Sequence, residues 1–198
     1  MGRVEPGARH ALNGGVLTLP NLLTLARIVL APVFLVLYVR GDTMRALSAF
    51  AAAAATDVLD GLAARALDQR TRLGALLDPI ADKLLAACAL FALAERGRLP
   101  YWLPILEVSR DMAQLAGATL LRFTHHRLPI HPTRIGKYAT ATMAATVLVA
   151  LASGFGAYTP AQAAPYVAAF GLLAAECTAV SWVQYFLLFV RSLRLRTG

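Results

Sequence analysis

Six long apolar stretches, separated by charged and helix-breaking residues, organise this chain. They run over residues 21–38, 45–65, 73–94, 101–121, 138–153 and 165–190. Most are near the ~20 residues that a helix needs to cross a bilayer; the fifth is short and has to borrow from its flanks. None alternates with period two, which excludes a transmembrane barrel. The pattern predicts an all-α polytopic membrane protein: six transmembrane helices forming a single domain over 1–198. Residues 1–20 form a short N-terminal juxtamembrane segment, whose Arg3, Arg9 and His10 followed by Val16, Leu17 and Leu19 suit a headgroup surface. No small-residue cleavage site follows the first stretch, so it reads as a retained helix rather than a signal peptide.

Composition sharpens this picture. Of 198 residues, 58% are hydrophobic and 15% charged, against about 25% charged in an ordinary soluble domain. That excludes disorder, a disulfide-knotted module and an ordinary cytosolic enzyme. The net charge of +8 comes from bases set between apolar runs, where anionic lipid rather than nucleic acid is the expected partner. Twelve of the 19 bases fall on one side if the N-terminus is cytoplasmic; only Arg40, Arg45, Arg96 and Arg98 fall on the other, which places both termini inside. Tyr101, Trp102 and Tyr158 lie at outer boundaries as an interfacial belt would. Connections are short, so neighbouring helices run antiparallel, and the Ala51–Ala55 run permits close helix contact. Cys88 and Cys177 fall inside apolar stretches and read as small buried hydrophobes.

Four carboxylates violate the pattern. Asp57 and Asp60 stand three residues apart in the second stretch, Asp78 and Asp82 four apart in the third. Each pair shares one helix face. An ionised residue at the centre of a membrane helix costs about 2.5–3.5 kcal/mol, so the four must reach an aqueous face or be neutralised. Antiparallel helices joined near residues 66–72 bring both pairs to similar depth, where they converge. Hard oxygen donors of this kind suit Mg²⁺ or Mn²⁺, and two divalent ions would cancel the charge; Asp–Arg pairs with Arg65, Arg70 and Arg72 are the alternative. Gly61 leaves room for a ligand to reach backbone, and the fork of Arg65 one turn on suits a phosphate. Gly74 opens the next helix.

The full stretch is Asp57-x2-Asp60-Gly61-x2-Ala64-Arg65-x8-Gly74-x3-Asp78-x3-Asp82. It resembles the signature of the CDP-alcohol phosphotransferase family at all eight fixed positions. The likeness extends from Pro20-Asn21-Leu22-Leu23-Thr24 to Gly136-Lys137, most of the chain. The resemblance implies a six-helix membrane enzyme of phospholipid biosynthesis. Such enzymes are commonly homodimers, with a site facing the cytoplasm, here from the inner membrane of a bacterium. It implies two Mg²⁺ or Mn²⁺ ions: Asp57 and Asp78 bridging both, Asp60 completing one site and Asp82 the other. Asp82 would also be the general base. Pro20, Asn21, Thr24, Gly61, Arg65, Thr71 and Gly74 would bind CDP-diacylglycerol. The implied reaction transfers a phosphatidyl group to an alcohol and releases CMP, without a covalent intermediate.

The acceptor is less constrained. Arg110 lies near Glu107 and Asp111; it either ties helices together as an ion pair or faces the cavity as a phosphate ligand. Arg134 and Lys137 are further acceptor candidates, and Lys83 either screens Asp82 or snorkels. The opening motif and Gly136-Lys137 resemble phosphatidylglycerophosphate synthases, which use glycerol 3-phosphate. Ser109-Arg110-Asp111 resembles CMP-forming cardiolipin synthases, which use phosphatidylglycerol. An arginine typical of inositol-phosphate enzymes is replaced by Tyr185. Glycerol 3-phosphate ranks first and phosphatidylglycerol second. His125, His126 and His131 read as surface residues, and Glu176 as a structural hydrogen-bonding group. A transporter also places acids in membrane helices, but more often shows inverted repeats or paired broken helices, and neither is visible.

Overall fold

Helix boundaries follow local cap chemistry. The computed structural model describes residues 18–66, 74–123, 134–152 and 159–194, and among them every regular element is helical. The elements are α1 (Leu19–Val39), α2 (Thr43–Ala66), α3 (Gly74–Glu95), α4 (Trp102–Phe123), α5 (Arg134–Ala152) and α6 (Pro160–Arg194). α1 begins with Pro20 in its first turn, where a missing N–H goes unpunished. It ends on Gly41 at φ 90°, with Gly41 N–H donating to the Tyr38 carbonyl and Asp42 N–H to that of Leu37. α3 ends the same way on Gly97 at φ 67°, through Arg98 N–H to Leu93 and Gly97 N–H to Ala94. Both are left-handed glycine stops of the Schellman type. Asp42 then caps α2 by accepting from Arg45 N–H at 3.3 Å.

Two boundaries depart from the sequence expectation. α6 starts at Pro160 rather than at Pro165, and runs 35 residues. Thr159 and Gln162 form a reciprocal capping box: Gln162 N–H donates to Thr159 Oγ1 at 3.3 Å, and Thr159 N–H to Gln162 Oε1 at 2.9 Å. That cap nucleates the helix ahead of Pro165, which the helix then absorbs. α5 starts at Arg134, ahead of the expected 138, so Gly136 and Lys137 lie within its first turn. The six expected helices are all present. Three of them contain stretches long and apolar enough to cross a membrane on those grounds alone: Leu19–Val39, Ile135–Ala152 and Ala161–Leu187. α2, α3 and α4 carry charged residues that lower their hydropathy.

Packing joins α1 to α2 and α3, and α5 to α6, while α4 touches α3 and α6. The buried face of α1 is a single stripe, Thr24, Arg27, Ala31, Phe34 and Tyr38 at helical spacing. Its lower half is apolar: Phe34 stacks near Tyr38 and Phe50 at centroid distances of 5.6 and 5.2 Å. Its upper half, Asn21, Thr24 and Arg27, is polar and buried. α2 answers with Ala46, Ala49 and Ala53, small enough for close approach. The same face continues one and two turns on to Asp57 and Asp60. The stripe that forms the core therefore delivers acids to the polar half of α1. The opposite side of α1 exposes Leu22, Leu25, Val29, Val33 and Val36, as a lipid-facing surface does.

Candidate active site

Arg27 organises the acidic cluster. It is 1% exposed, and its Nη1 lies 2.8 Å from Asp57 Oδ1. The same Nη1 donates to Asp82 Oδ1, and its Nη2 donates to Asp60 Oδ2 at 2.5 Å. Three carboxylates from two helices thus meet on one guanidinium from a third. Asp78 is held from α1 as well: Thr24 Oγ1 lies 2.8 Å from Asp78 Oδ1 and 3.0 Å from the Pro20 carbonyl, either of which can accept its proton. The convergence expected from the sequence is present, but α1 supplies the hinge pin. Arg65, Arg70 and Arg72, the arginine partners of the alternative reading, fall where side chains lie outside the described residues.

Exposure divides the cluster. The Asp60 side chain is 11% exposed, whereas those of Asp57 and Asp82 are each 54% exposed. Asp60 is the buried root, and Asp57 and Asp82 are the accessible rim. Among the described residues no group of three or more acidic, histidine or cysteine side chains is already arranged around an ion position. The donor chemistry nonetheless fits a hard divalent cation: every donor is a carboxylate oxygen, and one guanidinium offsets only one of four negative charges. Asp57 and Asp82 share one nitrogen of Arg27.

Pro20, Asn21 and Thr24 lie buried on the same face of α1, beside the cluster. Gly74 is buried at the start of α3. Gly61 and Arg65 sit in α2 and Arg134 opens α5, but their side-chain surroundings are outside the described residues, as are Thr71 and the three histidines of the 124–133 segment.

A second polar cluster lies across α3. Arg110, 5% exposed, contacts Glu107 Oε2 at 3.3 Å and Asp111 Oδ1 at 3.2 Å. It also donates to Thr178 on α6 at 3.4 Å and to Thr140 on α5 at 3.3 Å. Thr178 in turn donates to Glu107. Lys83 Nζ lies 2.8 Å from Asp111 Oδ1, which answers the open question about that lysine: it turns to α4. The ion-pair reading of Arg110 holds, and the paired guanidinium also lines a cavity of about 470 Å³ with Lys83, Gln114, Lys137, Thr140 and Tyr185. Asp82 and Lys83 are neighbours in sequence and about 100° apart around α3, so one helix serves both clusters.

Sequence reasoning gave Arg27 no task. Its signal was available: it follows Thr24 by three residues on the stripe that starts at Pro20, and an arginine within so apolar a helix requires a carboxylate partner. Gln114 and Thr140 carried no comparable signal.

The sequence matches the CDP-alcohol phosphatidyltransferase family over residues 17–191. It is 35% identical over 148 residues to the cardiolipin synthase (CMP-forming) / mitochondrial hydrolase fusion protein of Schizosaccharomyces pombe, covering 67% of this chain and 25% of that protein. It is 39% identical over 127 residues to a probable phosphatidylglycerophosphate synthase of Mycobacterium tuberculosis, covering 61% and 59%. It is 49% identical over 92 residues to a CDP-diacylglycerol–glycerol-3-phosphate 3-phosphatidyltransferase of Pseudomonas fluorescens, covering 44% and 47%. The chain spans between about a quarter and three fifths of the length of these relatives.

Proposed function

Because this chain belongs to the CDP-alcohol phosphatidyltransferase family, an integral membrane family, we propose that it transfers the phosphatidyl group of CDP-diacylglycerol to glycerol 3-phosphate and releases CMP. The observation that carries this reading is the meeting of Asp57, Asp60 and Asp82 at one place, with Asp78 tied beside them and two of the four accessible. Asp57, Asp60, Asp78 and Asp82 would hold two Mg²⁺ or Mn²⁺ ions. Bound there, the ions would supply charge stabilisation to the pyrophosphate and the departing CMP.

The chain's own residues do the rest. Asp82, half exposed at the rim, accepts the proton of the acceptor hydroxyl. The freed oxygen forms its bond to the β-phosphorus as the bond from that phosphorus to the CMP oxygen breaks. Pro20, Asn21 and Thr24, with Gly61, Arg65, Thr71 and Gly74, bind the CDP-lipid head, and the acyl tails stay in the bilayer. The cavity beyond α3 takes the acceptor. Lys137 and Arg110, with Arg134, present positive charge to its phosphate. A small dianionic phosphoalcohol suits that cavity, which supports ranking glycerol 3-phosphate first.

A second reading, phosphatidylglycerol as acceptor, is favoured by the relatives named cardiolipin synthase. Purified protein in detergent, given CDP-diacylglycerol and Mn²⁺ or Mg²⁺, separates the two. CMP release with glycerol 3-phosphate supports the first reading. Release only with phosphatidylglycerol supports the second, and release with neither overturns the reaction. We further propose one membrane domain over 1–198, a homodimer in the bacterial inner membrane, and a site and termini facing the cytoplasm. Cysteine labelling from either side of sealed vesicles tests that orientation.

A further inference from the structure

We propose that Arg27 is a resident counter-cation of the acidic cluster: its Nη1 fills the gap between Asp57 and Asp82 and competes with divalent cations for those two carboxylates, while its Nη2 keeps hold of Asp60. The inference rests on the reading above that the four aspartates bind divalent cations.

The guanidinium has two unlike ends. Nη2 faces Asp60, whose side chain is 11% exposed, and that pair lies inside the α1–α2 contact. Nη1 faces Asp57 and Asp82, both 54% exposed, at the accessible rim. An ion arriving from water therefore reaches the Nη1 partners first and the Nη2 partner last. A cation entering between Asp57 and Asp82 meets a positive charge already seated there, and at such range like charges repel strongly even with solvent screening. Without any cation at that position, carboxylates of neighbouring helices would face and repel one another. A resident arginine thus keeps the empty site folded and lowers its affinity for ions. It is a positioning residue: it acts on the carboxylates, and its chemistry is electrostatic.

Mn²⁺ binding to the full chain in detergent, followed by calorimetry and by paramagnetic resonance of free ion, tests this with Arg27→Gln and Arg27→Lys. Arg27→Gln should bind Mn²⁺ more tightly by about tenfold, since one repelling charge is gone. Arg27→Lys keeps that charge and should bind as the unaltered protein does. Cation-free Arg27→Gln should melt at lower temperature, and Mn²⁺ should raise its melting temperature more than it raises that of the unaltered protein. Equal or weaker Mn²⁺ binding by Arg27→Gln overturns the proposal, as does binding by Arg27→Lys as tight as by Arg27→Gln. If the unaltered protein binds no Mn²⁺, the metal reading of the site falls and this inference with it; if it does bind and Arg27→Gln gains nothing, only the inference falls. Should both variants fail to fold with and without Mn²⁺, Arg27 is purely structural and the proposal is overturned.

Discussion

Two charged clusters flank α3, and they balance their charges differently. Around Arg27, three carboxylates meet one guanidinium with Asp78 tied beside them by Thr24, and the side chains of Asp57 and Asp82 are half exposed. Around Arg110, two acids, Glu107 and Asp111, face two bases, Arg110 and Lys83, and the Glu107–Arg110 pair is nearly sealed, at 7% and 6% exposure. The first cluster carries excess negative charge toward an accessible rim. The second neutralises itself, ties α3, α4, α5 and α6 together, and leaves Lys137 exposed at a cavity. An unbalanced cluster is suited to take up cations, whereas a balanced one is suited to hold helices in place and shape a pocket. Buried ion pairs of the second kind contribute little net stability while intact, but losing one partner is costly.

That contrast can be broken by substitution. With Asp82 as base, Asp82→Asn should lower CMP release by about 10²–10⁴-fold, with the melting temperature little changed. Near-normal turnover would remove Asp82 from the chemistry. Arg110→Gln should do the reverse in kind. It leaves Glu107 short of its cation in a sealed place, for a loss of about 3–5 kcal/mol in stability measured by thermal unfolding in detergent. If Asp82→Asn unfolds the protein and Arg110→Gln does not, the roles assigned to the two clusters are interchanged.

Smaller effects sharpen the same comparison. Lys137 is exposed and in the first turn of α5. Lys137→Gln should shift stability by no more than about 0.5 kcal/mol. It should raise KM for glycerol 3-phosphate about tenfold, the worth of one charge-assisted contact, while KM for CDP-diacylglycerol stays put. Thr24→Val removes the hydroxyl that touches Asp78 and should lower kcat by about fivefold, equivalent to about 1 kcal/mol. Thr24→Ser, which restores the donor, should recover most of it. A loss in Thr24→Ser with none in Thr24→Val would show that the methyl group rather than the hydroxyl matters.

Much of the candidate site was legible before any coordinates. Spacings of three and four along consecutive helices put Asp57 with Asp60 and Asp78 with Asp82, because helical periodicity is a local property. The helix count was legible for the same reason, since each apolar run carries its own breakers. The start of α6 was legible in principle. Thr159-x2-Gln162 is a capping box that lies ahead of the apolar run beginning at 165. The start of α5 was legible too, because an apolar run too short to span has to borrow from its flank, as it does over residues 134–137. Arg27 was visible as an anomaly but not as a partner: its acids stand 33 and 55 residues away, a separation no local pattern encodes. Lys83 is the same case in reverse, since its neighbour in sequence, Asp82, belongs to the other cluster.

By itself the sequence determined the helical, membrane-embedded character of this chain, the family signature and the pairing of acids on two faces. Each follows from hydropathy and from a periodicity of 3.6, which act over one or two turns. Only the tertiary structure decided which cation meets those acids, which of them stay accessible, and that Arg110 is at once an ion pair and part of a cavity wall. Charge neutralisation is a matter of distance in space, and packing α1 against α2 and α3 sets those distances.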